Sequence, residues 1–483
     1  MRWRAFFGTT ILSWRGYKEA YMTRLNQIAF FLICAVVVFT TLAYGTVHQP
    51  VIALFNLTVA ALVLLWAADC YACGAVRFSR SPLQIPLALL GLYAIVQIIP
   101  FGTFTDVAGV SNIPRTISRE PFATQETAIQ IFILCLFFAV ALVCLNSAAR
   151  LKRIVIVVTA FGFIYAFYAI LQSVLSPNKI YGIYAVPHAT PFGSFVNRHD
   201  FAAVMEMTLG IPLGMIFTGA VTRDKRLLYV VAIALMGAAL LLSGSRGGLV
   251  AFVSEIILLT ILTTRSKGKK NVILKVVLSL LLVGAAVGGA VFVGGDTSLT
   301  RLTGPSSSPD FTSNRTVIWA ATRSVITSNL PFGSGLGAYA QALTPYDPQS
   351  GTQRVEQAHN DYLQVMADAG IIGVVIGLLF LFWFIREGTQ NTRGKNTFRR
   401  GVAVGAFVGC FAILIHSVFD FVLHITAISV MFLTLMAILV ASGRKYEDDI
   451  LEFDEISPKR RKPAIVTPIS VKSRKSSTLE QAN

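Results

Sequence analysis

Charge is scarce in this chain. Only 13% of its 483 residues are Asp, Glu, Lys or Arg, about half of the ~25% found in soluble domains. A shortage sustained over that length excludes a cytosolic enzyme and a disordered protein. Cysteine is scarce too, and six in 483 residues cannot build the disulfide framework of a small secreted scaffold. No internal repeat and no inverted symmetry relates the two halves. What fills the chain instead is apolar: 54% hydrophobic residues, 11% aromatic, and a mean hydropathy of +0.66. The class that remains is a polytopic membrane protein.

The net charge of +17, from 41 Lys and Arg against 24 Asp and Glu, resembles a nucleic-acid signal until its location is considered. The cations sit in short clusters between apolar runs, which is a pattern of membrane topology, and no nucleic-acid partner is expected. A hydrocarbon core about 30 Å thick needs roughly 20 apolar residues per helix. That ruler gives twelve candidate spans, near 27–47, 51–68, 82–100, 127–145, 153–175, 201–221, 227–243, 248–263, 272–294, 370–386, 401–422 and 425–441. The fold class expected is therefore all-α, with about 12 transmembrane helices. The first span is too long for a signal peptide and lacks a small-residue cleavage site, so it reads as an anchor.

Sidedness follows from the Lys/Arg bias of short loops. With the N-terminus inside, the inner segments hold Arg77 and Arg80, then Arg150, Lys152 and Arg153, then Arg223, Lys225 and Arg226. They continue with five cations between 265 and 275 and five between 386 and 400. The short outer segments hold only Arg115, Arg119, Lys179, Arg198 and Arg246. Both termini are then cytoplasmic. Residues 295–370 form a large external loop between spans nine and ten, and 443–483 a disordered cytoplasmic tail whose basic run Lys459 to Lys462 is able to touch anionic headgroups.

Against an apolar background, polar residues at the outer face carry the chemistry. Ser243-Gly244-Ser245-Arg246-Gly247-Gly248 turns between spans seven and eight. A guanidinium beside free backbone N–H groups suits a phosphate or diphosphate; an arginine snorkelling to the interface is the plainer alternative. In the long loop, Ser313 or Asn314 caps a short helix that stops before Pro331 and places Arg315 and Trp319 on one face. The alternative there is a loop helix resting on the bundle. Gly333-Ser334-Gly335-Leu336-Gly337 follows, a weak likeness to a phosphate cradle because no strand precedes it and no lysine follows. His359-Asn360-Asp361 opens a helix closed by Gly370; His359 suits a general base at neutral pH, or a capping role. His416, Asp420 and His424, four apart, fall close to one helical face, favouring a hydrogen-bonded network over a metal site. Asn197-Arg198-His199-Asp200 is a lesser polar cluster on the same side, and only Glu206 and Glu255 read as buried acids within spans. Cys70 and Cys73 form a lone Cys-x-x-Cys with no second pair to complete a zinc site.

Four of these segments, in this order, resemble the O-antigen ligase and polymerase superfamily of bacterial inner membranes. They are Ser-Gly-Ser-Arg-Gly-Gly at 243–248, Asn314-Arg315 with Trp319 and the Pro331-Phe332-Gly333 turn, His359-Asn360-Asp361-Tyr362-Leu363-Gln364, and His416 through His424. The likeness spans roughly 190–440. It divides the chain into N-terminal helices 1–190, a ligase-like core 191–442 and the tail 443–483. It implies a GT-C-like glycosyltransferase of the inner membrane, metal-independent and without a cofactor, with its active site on the periplasmic side. Such an enzyme moves a preassembled glycan from undecaprenyl diphosphate to an acceptor hydroxyl, on lipid A-core or on a second lipid-linked glycan, with protein serine or threonine as the acceptor of a third, less favoured branch. The resemblance implies Arg246 and Arg315 at the diphosphate and His359 as the catalytic base at the acceptor; beside them, Asp361, His416, Asp420 and His424 are expected to orient the loop or the base. The competing class is a polysaccharide transporter or lipid-glycan flippase, which the outer-face placement of the polar residues disfavours.

Overall fold

The computed structural model describes residues 23–105, 109–186, 189–264, 313–347 and 355–444, the strand at 9–13 and scattered positions between 273 and 288; of residues 9–13, 313 and 314 it describes the backbone alone. The chain is mostly helical. Eight helices run in succession: α1 Arg24–Leu42, α2 Gln49–Cys73, α3 Gln84–Ile98, α4 Pro121–Cys144, α5 Ala148–Leu175, α6 Arg198–Thr218, α7 Arg226–Leu242 and α8 Arg246–Thr264. Two more, α9 Ser313–Asn329 and α10 Tyr339–Leu343, belong to the long loop, and α11 Asp361–Asn391, α12 Thr397–His416 and α13 Thr426–Ser442 finish the bundle. Among the described residues nine helices are long and apolar enough to cross a membrane, while α3 and α13 are apolar but shorter. The span expected at 272–294 and the start of the loop at 295–312 fall largely outside the described residues, as does the tail from 445. Strands occur among the described residues only as two-stranded pairs, the largest joining β1 Thr9–Ser13 antiparallel to β2 Ala75–Ser79, from Thr9 opposite Ser79 to Ser13 opposite Ala75.

The helix starts follow the sequence's capping residues. Thr23, Ser147, Asn197, Asn360 and Asn396 each accept a backbone N–H from the first turn of α1, α5, α6, α11 and α12. Pro50 and Pro121 sit in the first turns of α2 and α4, where no backbone donor is lost. At the other end, Gly74 and Gly219 close α2 and α6 in the left-handed conformation.

Helix α6 is the axis of the bundle. Nearly all of its side chains are buried, whereas α2 turns Leu54, Leu57 and Leu64 outward. α6 meets α12 through glycines at a four-residue spacing. A Cβ on Gly214 would lie 2.3 Å from the Gly405 nitrogen, and one on Gly210 would lie 2.5 Å from the Gly405 carbonyl oxygen. Helices that attract each other weakly in an apolar solvent gain dispersion contact from such backbone approach. One end of the bundle is closed by a clasp of arginines. Arg77 pairs with the buried Asp69 at 2.7 Å, Arg150 donates to the Cys144 carbonyl at 2.9 Å, and Arg444 donates to the Leu142 and Leu145 carbonyls. Those carbonyls end α4, where cations complement the helix dipole. The candidate site occupies the opposite end.

Candidate active site

Two segments far apart in sequence are stapled together to form the site. The Asp361 amide donates to the Ser417 carbonyl at 2.9 Å, and the Asn360 side chain donates to the Val418 carbonyl at 2.8 Å. Tyr362 adds its hydroxyl to the Leu414 carbonyl at 2.6 Å. The loop helix α9 is tied to the same segment, since the Trp319 indole donates to the Ala358 carbonyl at 3.0 Å. Strands of backbone that lack regular partners are thus satisfied by side chains at fixed positions.

These ties bring Asp420 between a histidine and an arginine. Its Oδ1 lies 3.1 Å from His359 Nδ1 and its Oδ2 lies 3.2 Å from Arg315 Nη2. Arg315 also donates through Nη1 to the Phe419 carbonyl. Burial would raise the Asp420 carboxyl, but the His359 hydrogen bond and the charges around it, Arg315 among them, hold it well below the usual carboxylate range. An ionised carboxylate can only accept, so His359 donates through Nδ1 and keeps the Nε2 lone pair for chemistry. The imidazole is a third exposed, its side chain at 33% against 2% for Asp420, and it packs edge-on against Phe421 at 5.0 Å. His359 adopts φ +49°, a left-handed backbone that is uncommon for non-glycine residues.

A second histidine–carboxylate pair lies beside the first. His424 Nδ1 is 2.8 Å from Asp361 Oδ1, whose other oxygen accepts the Leu423 amide at 3.2 Å. Burial opposes the charge on His424, and the Asp361 contact outweighs it, so the imidazole titrates above its ordinary value.

The placement of His416, Asp420 and His424 on one helical face is corrected. Helix α12 ends at His416, and the chain passes through a turn into the short 3₁₀ segment Val422–His424. Once the helix stops, a spacing of four no longer stacks side chains. The three residues reach three different partners: His416 points inward to Glu206 on α6 at 2.9 Å, Asp420 to His359 and Arg315, and His424 to Asp361. The helix of residues 361 onward is interrupted at Gly370, which has φ +59°, and resumes into the rest of α11.

Arg246 is half-buried at the first position of α8. The structure brings its turn against the Arg315 side of the site across one residue. A Cβ on Gly247 would lie 3.1 Å from the Phe419 Cβ, and the Phe419 carbonyl is the group that takes Arg315. The turn itself is held by His199, whose Nδ1 lies 2.8 Å from Ser245 Oγ, while that hydroxyl oxygen accepts the Gly248 amide at 3.1 Å. The partnership of His199 with Ser245 and of Glu206 with His416 was missed by the sequence, although both polar outliers were visible there.

The glycine-rich turn 333–337 is structural. Its amides are taken by protein acceptors: Ser334 by the Ala367 carbonyl at 2.8 Å, Gly335 by the Asp368 carbonyl at 2.9 Å and Leu336 by Gln97 Oε1 at 2.9 Å. A Cβ on Gly333 would lie 2.4 Å from the Asp368 carbonyl oxygen, so glycine serves close backbone approach at this position. Among the described residues no three of His, Cys, Asp and Glu gather as metal ligands.

No curated protein matches the chain. Residues 231–378, which contain Arg246, Arg315, His359 and Asp361, match a family model described as O-antigen ligase.

Proposed function

We propose that this membrane protein is a glycosyltransferase that moves a preassembled glycan from undecaprenyl diphosphate to an acceptor hydroxyl, at the periplasmic face of the bacterial inner membrane. The observation that carries this reading is the Asp420 carboxylate shared between His359 Nδ1 and Arg315. It pairs a proton acceptor with a fixed cation, which is what displacement of a diphosphate by an alcohol requires.

In the proposed reaction, His359 Nε2 takes the proton of the acceptor hydroxyl as that oxygen attacks the anomeric carbon. The bond from that carbon to the diphosphate oxygen breaks, and its electron pair leaves with the diphosphate. Two of Arg315's N–H groups are engaged by Phe419 and Asp420, which fixes the plane of the guanidinium. Arg246, at the N-terminal turn of α8, adds its charge to the positive end of the helix dipole. Two guanidiniums stabilise the charge developing on the leaving group. A single displacement with no enzyme nucleophile inverts the anomeric carbon. The acceptor is lipid A-core or a second lipid-linked glycan, and Asp361 and His424 orient the loop that carries Asp420.

The test is transfer by the purified protein from an undecaprenyl-diphosphate glycan, in EDTA, to each acceptor in turn. Transfer survives EDTA and falls by about two to four orders of magnitude in His359→Ala, the usual contribution of a general base. Loss of transfer in EDTA, retention at the anomeric carbon, or full activity in His359→Ala overturns the reading.

A further inference from the structure

Glu206 and His416 form an ion-pairing couple that none of the chemistry above uses. Both are 0% exposed and sit between α6, α12 and the start of α8. His416 Nδ1 lies 2.9 Å from a Glu206 oxygen, and His416 Nε2 has no hydrogen-bond partner. Burying two such polar groups inside an apolar bundle is unfavourable relative to packing hydrocarbons there. The pair borders the first turn of α8. A Cβ on Gly247 would meet the His416 ring at 2.9 and 3.0 Å, and a Cβ on Gly248 would meet a Glu206 oxygen at 3.0 Å. On the other side of this turn, Ser245 is held by His199. The residue in the middle is Arg246.

We infer that Glu206 and His416 are positioning residues for Arg246. Glu206 fixes the His416 ring through Nδ1, the ring edge and the carboxylate bear on Gly247 and Gly248, and the two contacts set the direction in which Arg246 leaves the helix. The two glycines are part of the device, because any side chain there would push the turn away from α6 and α12. The sequence marked Glu206, His416 and the glycines of the turn separately and did not link them; here the His416 side chain serves the arginine turn. The inference rests on the reading that Arg246 meets the donor diphosphate. Misplacing a binding group by about 1 Å costs up to roughly a hundredfold in rate, so a device of this kind acts on donor use and leaves acceptor use alone.

The experiment measures donor KM, acceptor KM and kcat for purified full-length variants, with the undecaprenyl-diphosphate glycan as probe. His416→Asn keeps a donor toward Glu206 but removes the ring edge against Gly247. It raises donor KM roughly tenfold with acceptor KM within about twofold. Glu206→Ala does the same, and Glu206→Gln, which keeps an acceptor oxygen, restores most of the loss. Gly247→Ala raises donor KM alone, and by less in the His416→Ala background, where the ring contact is gone and the Phe419 Cβ contact at 3.1 Å remains. His416→Asn adds little to Arg246→Lys, because both act through one group. Additive effects in that pair, an acceptor-side change, or Glu206→Gln as damaging as Glu206→Ala overturns the inference. Unchanged donor KM in Arg246→Lys and Arg246→Ala refutes the diphosphate role itself, whereas a response of those two with none in His416→Asn refutes the positioning alone.

Discussion

At the residue scale the site consists of two histidine–carboxylate pairs whose charges respond to pH in opposite senses. His424 is raised by Asp361 above its ordinary value of 6.5. A raised base contributes stability that is complete below its unfolded pKa and fades as pH climbs through the folded value. Asp420 is lowered below its ordinary 3.8, so its contribution is complete above that pH and fades only as pH falls through the folded value. His424→Asn therefore lowers the thermal midpoint in detergent by about 2–4 °C at pH 5.5, and the deficit shrinks toward pH 9. Asp420→Asn gives a deficit that stays level over the same range. A His424→Asn deficit that is flat, or that grows with pH, would show that Asp361 does not hold the imidazolium. The sequence made these residues conspicuous, because His359, Arg315, Asp420 and His424 interrupt an apolar background. It did not reveal which acid serves which base. Pairing by a spacing of four presumes a continuous helix, and the helix ends at His416. The true pairs, 359 with 420 and 361 with 424, join segments some sixty residues apart.

At the element scale, helices were more legible than their contacts. Twenty-residue apolar runs bounded by Thr, Ser or Asn caps announce α1, α5, α6 and α12, because the membrane demands that length and the caps satisfy the first turn. An apolar run looks the same whether it faces lipid or protein, so the sequence could not say that α6 is central and α2 peripheral. The cue lies in small residues: Gly210 and Gly214 on α6, Gly401, Gly405 and Gly409 on α12. Gly214→Ala places a methyl 2.3 Å from the Gly405 backbone nitrogen, and backbone on both sides cannot yield. It costs about 1–3 kcal/mol, read as a lower thermal midpoint and a smaller monodisperse fraction in detergent. Gly237→Ala on α7 is the control, since a Cβ there meets nothing within 4 Å and alanine favours helix over glycine by about 1 kcal/mol. Equal behaviour of the two variants would mean that α6 and α12 are not packed backbone to backbone.

At the scale of the whole molecule the two ends of the bundle are chemically unlike. One end gathers Arg77, Arg150 and Arg444 around Asp69 and the last carbonyls of α4; the other gathers His359, Asp361, Asp420 and His424 around the candidate site. Cationic loops are retained on the cytoplasmic side during insertion because translocating Lys and Arg is unfavourable. Arg399, in the cation-rich segment 386–400, donates to the Arg444 carbonyl of the clasp, so the proposed orientation has the clasp inside and the candidate site outward. That direction also suits the proposed donor, whose polyprenyl tail stays in the bilayer while its diphosphate and glycan reach the outer surface. Single cysteines introduced at Ser350 in the long loop and at Ser266 after α8, in a chain freed of its six native cysteines, test the orientation. With a membrane-impermeant maleimide and intact spheroplasts, Ser350→Cys labels at once and Ser266→Cys labels only after lysis. The reverse pattern would put His359 on the cytoplasmic side, where the acceptors proposed above do not reach it, and the transferase reading would then fail together with the topology.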